Sequence, residues 1–184
     1  MASNDDRTTR RIAVLVAMEG IEQVELTSPW KALEKAGWEP VLVAPEQGEV
    51  QAFEHLDKAD SFPVDRTVAD VSATDFAGLV LPGGVANPDA LRLDAGAVGL
   101  VRDFVQGGRP VAAICHAIWL LVEADVVRDR TVTSWPSLQT DVRNAGGTWV
   151  DQEVVTDGML VTSRKPDDLP AFNTAVLDVL GATP

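Results

Sequence analysis

Pro110–Leu121 reads PVAAICHAIWLL, and its two halves follow different rules. PVAAIC is a short apolar run without alternation, the mark of a strand covered on both faces, whereas HAIWLL stays apolar with no loop residue between and reads as a buried helix. The same unit recurs along the chain. RIAVLVA (11–17) is another such run, followed by a helix that places Val24, Leu26, Trp30, Leu33 and Ala36 approximately on one face and Gly37 as its stop. EPVLVAP (39–45) and GLVLPGG (78–84) repeat the strand, and 94–108 repeats the helix. Strands alternating with helices predict an α/β fold with a mostly parallel sheet, helices on both faces and right-handed crossovers.

Elsewhere the pattern is weaker. Between Gln47 and Val71 it supports short edge strands or a hairpin beside the main sheet. PSLQTDVRNAGG (136–147) predicts a helix begun by Pro and ended by Gly-Gly, and 148–163 predicts two strands around an Asp157-Gly158 turn. Residues 167–180 predict the closing helix, with Gly181 past its end.

At 184 residues the chain has the length of one domain, expected over 11–184 behind a polar tail at 1–10. Fifteen Lys and Arg against 28 Asp and Glu give a net charge of −13, which disfavours nucleic acid and anionic membrane surfaces as partners. No run approaches about 18 apolar residues, and MASNDDRTTR lacks the apolar core of a secretory signal, so a cytoplasmic protein is expected. A single cysteine rules out an internal disulfide and any CxxC motif. With only two histidines beside it, the sequence calls for no metal and no cofactor.

In open α/β sheets, ligands gather at the carboxyl ends of strands. Three features fall there: MEGIEQVEL (18–26) with Glu19, Glu22 and Glu25; PGG (82–84); and Cys115 with His116. A thiol lifted out of the sheet at a strand-to-helix elbow, facing backbone N–H groups, is expected to have a depressed pKa and to act as a nucleophile. It resembles the serine elbow of hydrolases without the flanking G-x-S-x-G. The competing reading makes Cys115 a small core residue. A Cys115–His116 contact requires a non-helical turn, because adjacent residues on a helix do not face each other. Gly83 and Gly84 either admit a ligand close to the backbone or only shape a turn. Trp135 either lines the pocket or packs in the core. Glu19 and Glu25 read as solvated acids near a helix N-terminus, and His55 and Met18 have no assigned partner.

VLPGG, PVAAICHA, TSWPSLQTDVRNAGGTWVDQEVV and LVTSRKPDDLPAF, in this order between Ile12 and Gly181, resemble the DJ-1/PfpI superfamily, in particular its bacterial general stress protein and intracellular protease I (peptidase C56-like) branch. The resemblance implies a flavodoxin-like three-layer sandwich related to the class I glutamine amidotransferases, a homodimer or higher oligomer, and Cys115 as the reactive nucleophile. It implies that Glu22, the matching acid after the first strand, is protonated and shares a proton with the sulfur. It also implies that His116 pairs with Cys115 and is oriented by an acid across a subunit interface. Asp89 in GGVANPDALR is the candidate, and helix capping is its other reading. The N–H groups of Gly84 and His116 would form an oxyanion hole. Where relatives show CHGP or CHAP, this chain has CHAIWL, so Ile118 and Trp119 are expected at the pocket mouth.

Three functions compete. In the first, the protein is an enzyme whose Cys115 attacks a carbonyl: methylglyoxal converted without glutathione, as in glyoxalase III, a glycation adduct, as in deglycases, or a peptide. In the second it is a stress protein whose Cys115 oxidises to sulfenic and sulfinic acid. In the third it is a scaffold.

Overall fold

The computed structural model describes residues 10–181; the expected polar tail, apart from Arg10, lies outside the described residues. Five strands occupy the predicted runs: β1 (Arg11–Leu15), β3 (Glu39–Ala44), β7 (Gly78–Leu81), β8 (Val111–Ile114) and β12 (Leu160–Ser163). With β6 (Arg66–Thr67) and β11 (Val154–Asp157) they form a seven-stranded sheet ordered β11-β12-β8-β7-β1-β3-β6. All neighbours are parallel except β11 and β12, the antiparallel pair joined through Gly158.

The absence of alternation in these strands has a direct cause: both faces are covered. In β1, Ile12 and Val14 join Leu26, Leu33, Phe172 and Val176 under helices α1 (Gln23–Lys35) and α6 (Leu169–Val179). Ala13 and Leu15 point the other way, into a core with Val101, Phe104, Leu120 and Val142 from α3 (Ala95–Gln106), α4 (Ile118–Glu123) and α5 (Gln139–Asn144). The result is the three-layer sandwich that the resemblance implies.

Residues 47–71 form the expected hairpin, β4 (Glu49–Glu54) with β5 (Asp57–Pro63), but it has a third partner: β2 (Glu19–Glu22) pairs with β4 in parallel. The sequence gives β2 little signal because it is only four residues long and breaks register at Gly20. A further small pair, β9 (Thr131–Val132) with β10 (Thr148–Trp149), lies beside the sheet.

Helix α2 (Ala86–Leu91) follows the PGG turn directly, so Asp89 lies within the helix and is not its N-cap. The α2 residue Asn87 is completely buried. Its Oδ1 accepts the N–H of Ala17 at 2.6 Å, and its Nδ2 donates to the carbonyls of Pro82 and Gly83 at 2.9 and 3.1 Å. One amide thus ties the exit of β1 to the turn after β7. Replacing Asn87 by Ala orphans the Ala17 N–H and the Pro82 carbonyl, leaves the Gly83 carbonyl only the 3.5 Å contact from the Glu22 N–H, and is expected to cost about 2–4 kcal/mol. Asn87→Asp should cost more, since an ionised carboxylate would face two carbonyl oxygens; chemical denaturation of both variants measures this.

Candidate active site

The carboxyl ends of β1, β7 and β8 lie side by side, and chain leaves β1 for β3 on one side and returns to β7 on the other. This is the reversal point at which α/β sheets open a crevice. A cavity of about 440 Å³ lies there, and Cys115, His116, Glu25 and Gly84 are among its wall residues.

Cys115 follows β8 directly with φ +62, a left-handed conformation rare for a residue with a side chain. Its carbonyl accepts the N–H of Trp135 at 3.1 Å, which helps to hold the bend. The next turn is a short 3-10 segment, Cys115–Ala117, so the two neighbouring side chains meet: Sγ lies 3.2 Å from Nδ1 of His116. The left-handed Cys115 thus supplies the break from a regular α-helix that the contact requires.

The acid against the sulfur is Glu25, not Glu22, which corrects the expectation from the resemblance. Glu25 is fully buried on α1 in the stripe Glu25, Pro29, Leu33, facing the sheet. Its Oε2 accepts the N–H of Gly83 at 2.9 Å, and its Oε1 is buried without a nitrogen or oxygen partner. Burial raises its pKa to about 8, against the pull of the Gly83 N–H, so at neutral pH the carboxyl keeps its proton. Glu22 is half-exposed at the last position of β2, where its Oε2 accepts the N–H of His55 at 3.1 Å.

The thiol departs from expectation too. Burial first, and then the charge of Glu25, push the Cys115 pKa up, while the N–H groups of His116 and Gly84 pull it down. The upward push from Glu25 vanishes while that carboxyl is protonated, so thiol and acid titrate as a pair. Burial lowers the His116 pKa, leaving a neutral imidazole beside a neutral thiol.

Gly83 is required by close approach: a Cβ there would lie 2.5 Å from Glu25 Oε2 and 2.7 Å from Cys115 Cβ. Gly84 has φ +81 and its Cα packs on the Gly20 carbonyl, turning its N–H toward the sulfur. Trp135 lines the cavity and stacks on the His116 ring, centroids 5.6 Å apart. Trp119 does not line it. It meets His116 edge-on from behind, donates to Asp141 at 2.9 Å and carries Arg92 over its face at 5.7 Å. Ile118 is a core residue, so neither replacement stands at the mouth, because the 3-10 turn rotates both behind the histidine. Asp89 is exposed and shares no hydrogen bond with His116 among the described residues. No group of three or more potential metal ligands occurs among the described residues.

Residues 10–179 match the DJ-1/PfpI family. The chain belongs to this family. One DJ-1/PfpI relative, protein/nucleic acid deglycase 2 of Escherichia coli (strain K12), is 44% identical over 175 residues, 95% of this chain and 99% of the relative. General stress protein 18 of Bacillus subtilis (strain 168) is 38% identical over 172 residues, 93% of this chain and 98% of the relative. A solved two-domain protein of Anabaena variabilis, with DJ-1/ThiJ/PfpI-like and ferritin-like domains, matches with a TM-score of 0.88 and 32% identity over 94% of this chain. This chain spans about half (48%) of that protein. The fold and the family thus agree, and the relatives of this DJ-1/PfpI chain include proteins named as an enzyme and as a stress protein.

Sequence reasoning places Glu25 in solvent and assigns no role to Asn87 or His55, whereas the structure buries Glu25 at the sulfur. Glu25 had a usable signal, its spacing of four from Pro29 and eight from Leu33. His55 had none, because only the hairpin brings it to the cavity wall.

Two outcomes follow from this geometry. A folded-state pKa raised from 4.5 to about 8 means that stability is fully present below the unfolded value and is lost as pH rises through about 8. Glu25→Gln keeps an acceptor for Gly83 but cannot ionise, so its Tm should match wild type at pH 4 and exceed it at pH 8.5 by roughly 5 °C or more. Gly83→Ala should lower the iodoacetamide reactivity of Cys115 by at least about tenfold, since its methyl displaces both members of the pair.

Proposed function

We propose that this protein is a cysteine-dependent enzyme acting on reactive carbonyls, converting methylglyoxal or its early adducts with amines to lactate in the manner of a glyoxalase III or deglycase. The observation that carries this reading is the 3.2 Å contact between a thiol and a neutral imidazole at the wall of a cavity that also holds a protonated carboxyl. The name of the Escherichia coli relative, a deglycase, supports the same class.

The atoms balance within the chain. Sγ adds to the aldehyde carbon as Nδ1 of His116 takes the thiol proton and returns it to the carbonyl oxygen, giving a hemithioacetal. With an adduct, the same carbon loses its amine, which leaves carrying the proton. His116 then moves a proton from the former aldehyde carbon to the neighbouring ketone carbon through an enediol, producing a lactoyl thioester. Water hydrolyses it and restores the thiol. One carbon is oxidised as its neighbour is reduced, so methylglyoxal plus water gives lactic acid with no external oxidant. The N–H groups of Gly84 and His116 would stabilise the oxyanion, a contribution of about 3 kcal/mol for a well-placed donor.

The second reading, oxidation of Cys115 by peroxide to a sulfenic and then a sulfinic acid, draws support from the unpartnered Glu25 Oε1, which could carry a proton donated to the oxidised sulfur. We further propose a cytoplasmic homo-oligomer, in which Asp89 would have to reach His116 of another subunit.

A panel of methylglyoxal, an arginine–methylglyoxal adduct and a peptide tests the assignment. Cys115→Ala should abolish carbonyl turnover, and His116→Ala should lower kcat by about 10²–10⁴-fold. Full activity in Cys115→Ala would overturn it. The pH profile is a bell. Because His116 titrates below its ordinary value, the acid limb lies under about pH 6.5. The alkaline limb lies near 8, where Glu25 loses its proton, and Glu25→Gln should remove it.

A further inference from the structure

The cavity is lined unevenly in charge. Glu19 and Glu22 stand on its wall above the buried Glu25, and no Lys or Arg among the described residues lines it. The adjoining depression holds Arg164 and Lys165, but these cations are matched: Arg164 binds Asp151 and Asp168 at 2.7 and 2.8 Å, and Lys165 lies 3.0 Å from Asp167. Glu22 is anchored through Oε2 to the N–H of His55, which fixes its charge at the mouth without neutralising it. Glu25 Oε1, buried and unpartnered, leaves an acceptor or a proton-bearing oxygen to be satisfied at the thiol. Phe53 and Trp135 supply aromatic wall to the same space. The whole chain carries −13. A cavity with acidic walls focuses this potential, and aromatic faces further favour a cation.

We propose that Glu19 and Glu22 form an acidic collar that determines specificity: it admits cationic and neutral carbonyl compounds, including adducts on the alkylamine or guanidine side chains of peptides, and repels phosphorylated ones such as nucleotide adducts. The substrate class rests on the proposed function, whereas the charge selection applies to any ligand that approaches the sulfur. Glu22 acts here on the incoming ligand and has no part in the proton shared by Glu25 and Cys115.

Three thiol reagents of one reactive type separate these statements: the aminoethyl (cationic), methyl (neutral) and sulfonatoethyl (anionic) methanethiosulfonates. At low ionic strength, the cationic-to-anionic rate ratio at Cys115 is expected to exceed that of a free thiol by about tenfold or more, and to fall toward it at 0.5 M salt. Glu19→Gln with Glu22→Gln should cut the ratio at least about threefold. Asp103→Asn with Asp178→Asn removes the same charge from exposed positions toward the C-terminal ends of α3 and α6, away from the cavity, and should leave the ratio near wild type. Equal ratios in the wild type and the collar variant would overturn the proposal, as would an equal drop in the distant variant. Glu19→Gln alone leaves the Glu22–His55 contact intact, so a lowered ratio there supports the collar even where the double variant unfolds. Turnover of an arginine–methylglyoxal adduct against a deoxyguanosine monophosphate adduct should shift in the same direction. Full turnover in Cys115→Ala would refute the proposed function, while the reagent ratios would still decide the collar.

Discussion

A carboxyl with no solvent exposure lies against the only thiol of the chain, and the two groups cannot both be charged. Burial makes either charge expensive, and proximity makes the second more so. The pair therefore holds its protons at neutral pH, and the surrounding structure is built to tolerate that. Gly83 supplies an N–H to one carboxyl oxygen and, by lacking a Cβ, makes room for both side chains. The imidazole beside the sulfur is itself held neutral, so it does not stabilise a resting thiolate as an imidazolium would.

This arrangement requires three loops from three strands to stay in register within fractions of an ångström, and the sandwich explains how they do. Strands β1, β7 and β8 are covered on both faces, so their ends have little freedom. Asn87 joins the exits of β1 and β7 through three hydrogen bonds, and the Gly20–Gly84 contact closes them further. The left-handed Cys115 costs on the order of 1–3 kcal/mol and persists because its surroundings over-determine it. The bond from Trp135 N–H to the Cys115 carbonyl links that bend to the ring that stacks on His116. One segment thus fixes Cys115 and His116, the proposed nucleophile and base, together.

The architecture was legible in the sequence because its cause is local: a strand buried on both faces must read as an unbroken apolar run, as 11–15, 78–81 and 111–114 do. The elbow was legible for a related reason, since PVAAIC passes into HAIWLL with no residue to spare for a loop. The acid was not, because it depended on the rotation of one helix. Reading Val24, Leu26 and Trp30 as the apolar face sends Glu25 to solvent, whereas the buried stripe is Glu25, Leu26, Pro29 and Leu33, and Val24 is 40% exposed. A carboxylate in an apolar stripe looks like an error of pattern until its partner, 90 residues away, is known. Trp119 and Ile118 misled for a similar reason, because a single 3-10 turn decides which way residues just after the histidine point. His55 lay beyond sequence reasoning altogether, since only the pairing of β2 with β4 carries the hairpin tip to the cavity.

A thiol kept protonated at rest is by charge alone a poor nucleophile, yet for the proposed addition to a carbonyl the same features would favour the reaction over the resting charge. Standing thiolate would need full desolvation of an anion beside an acid, whereas addition to a carbonyl moves the charge outward as it forms, from sulfur to an oxygen in the cavity. The N–H groups of His116 and Gly84 are fixed before that charge develops, so no reorganisation is required when it does. A neutral imidazole is the form that can accept a proton, and a protonated Glu25 adds no competing negative charge next to the bond being made. The burial that raises both pKa values at rest also strengthens each of these donors in the transition state, because the dielectric that penalises an isolated charge amplifies a compensated one. In the proposed reaction, reactivity would then depend on a substrate that supplies the electrophilic carbon and its oxygen together, which would distinguish carbonyl compounds from other electrophiles reaching the same sulfur.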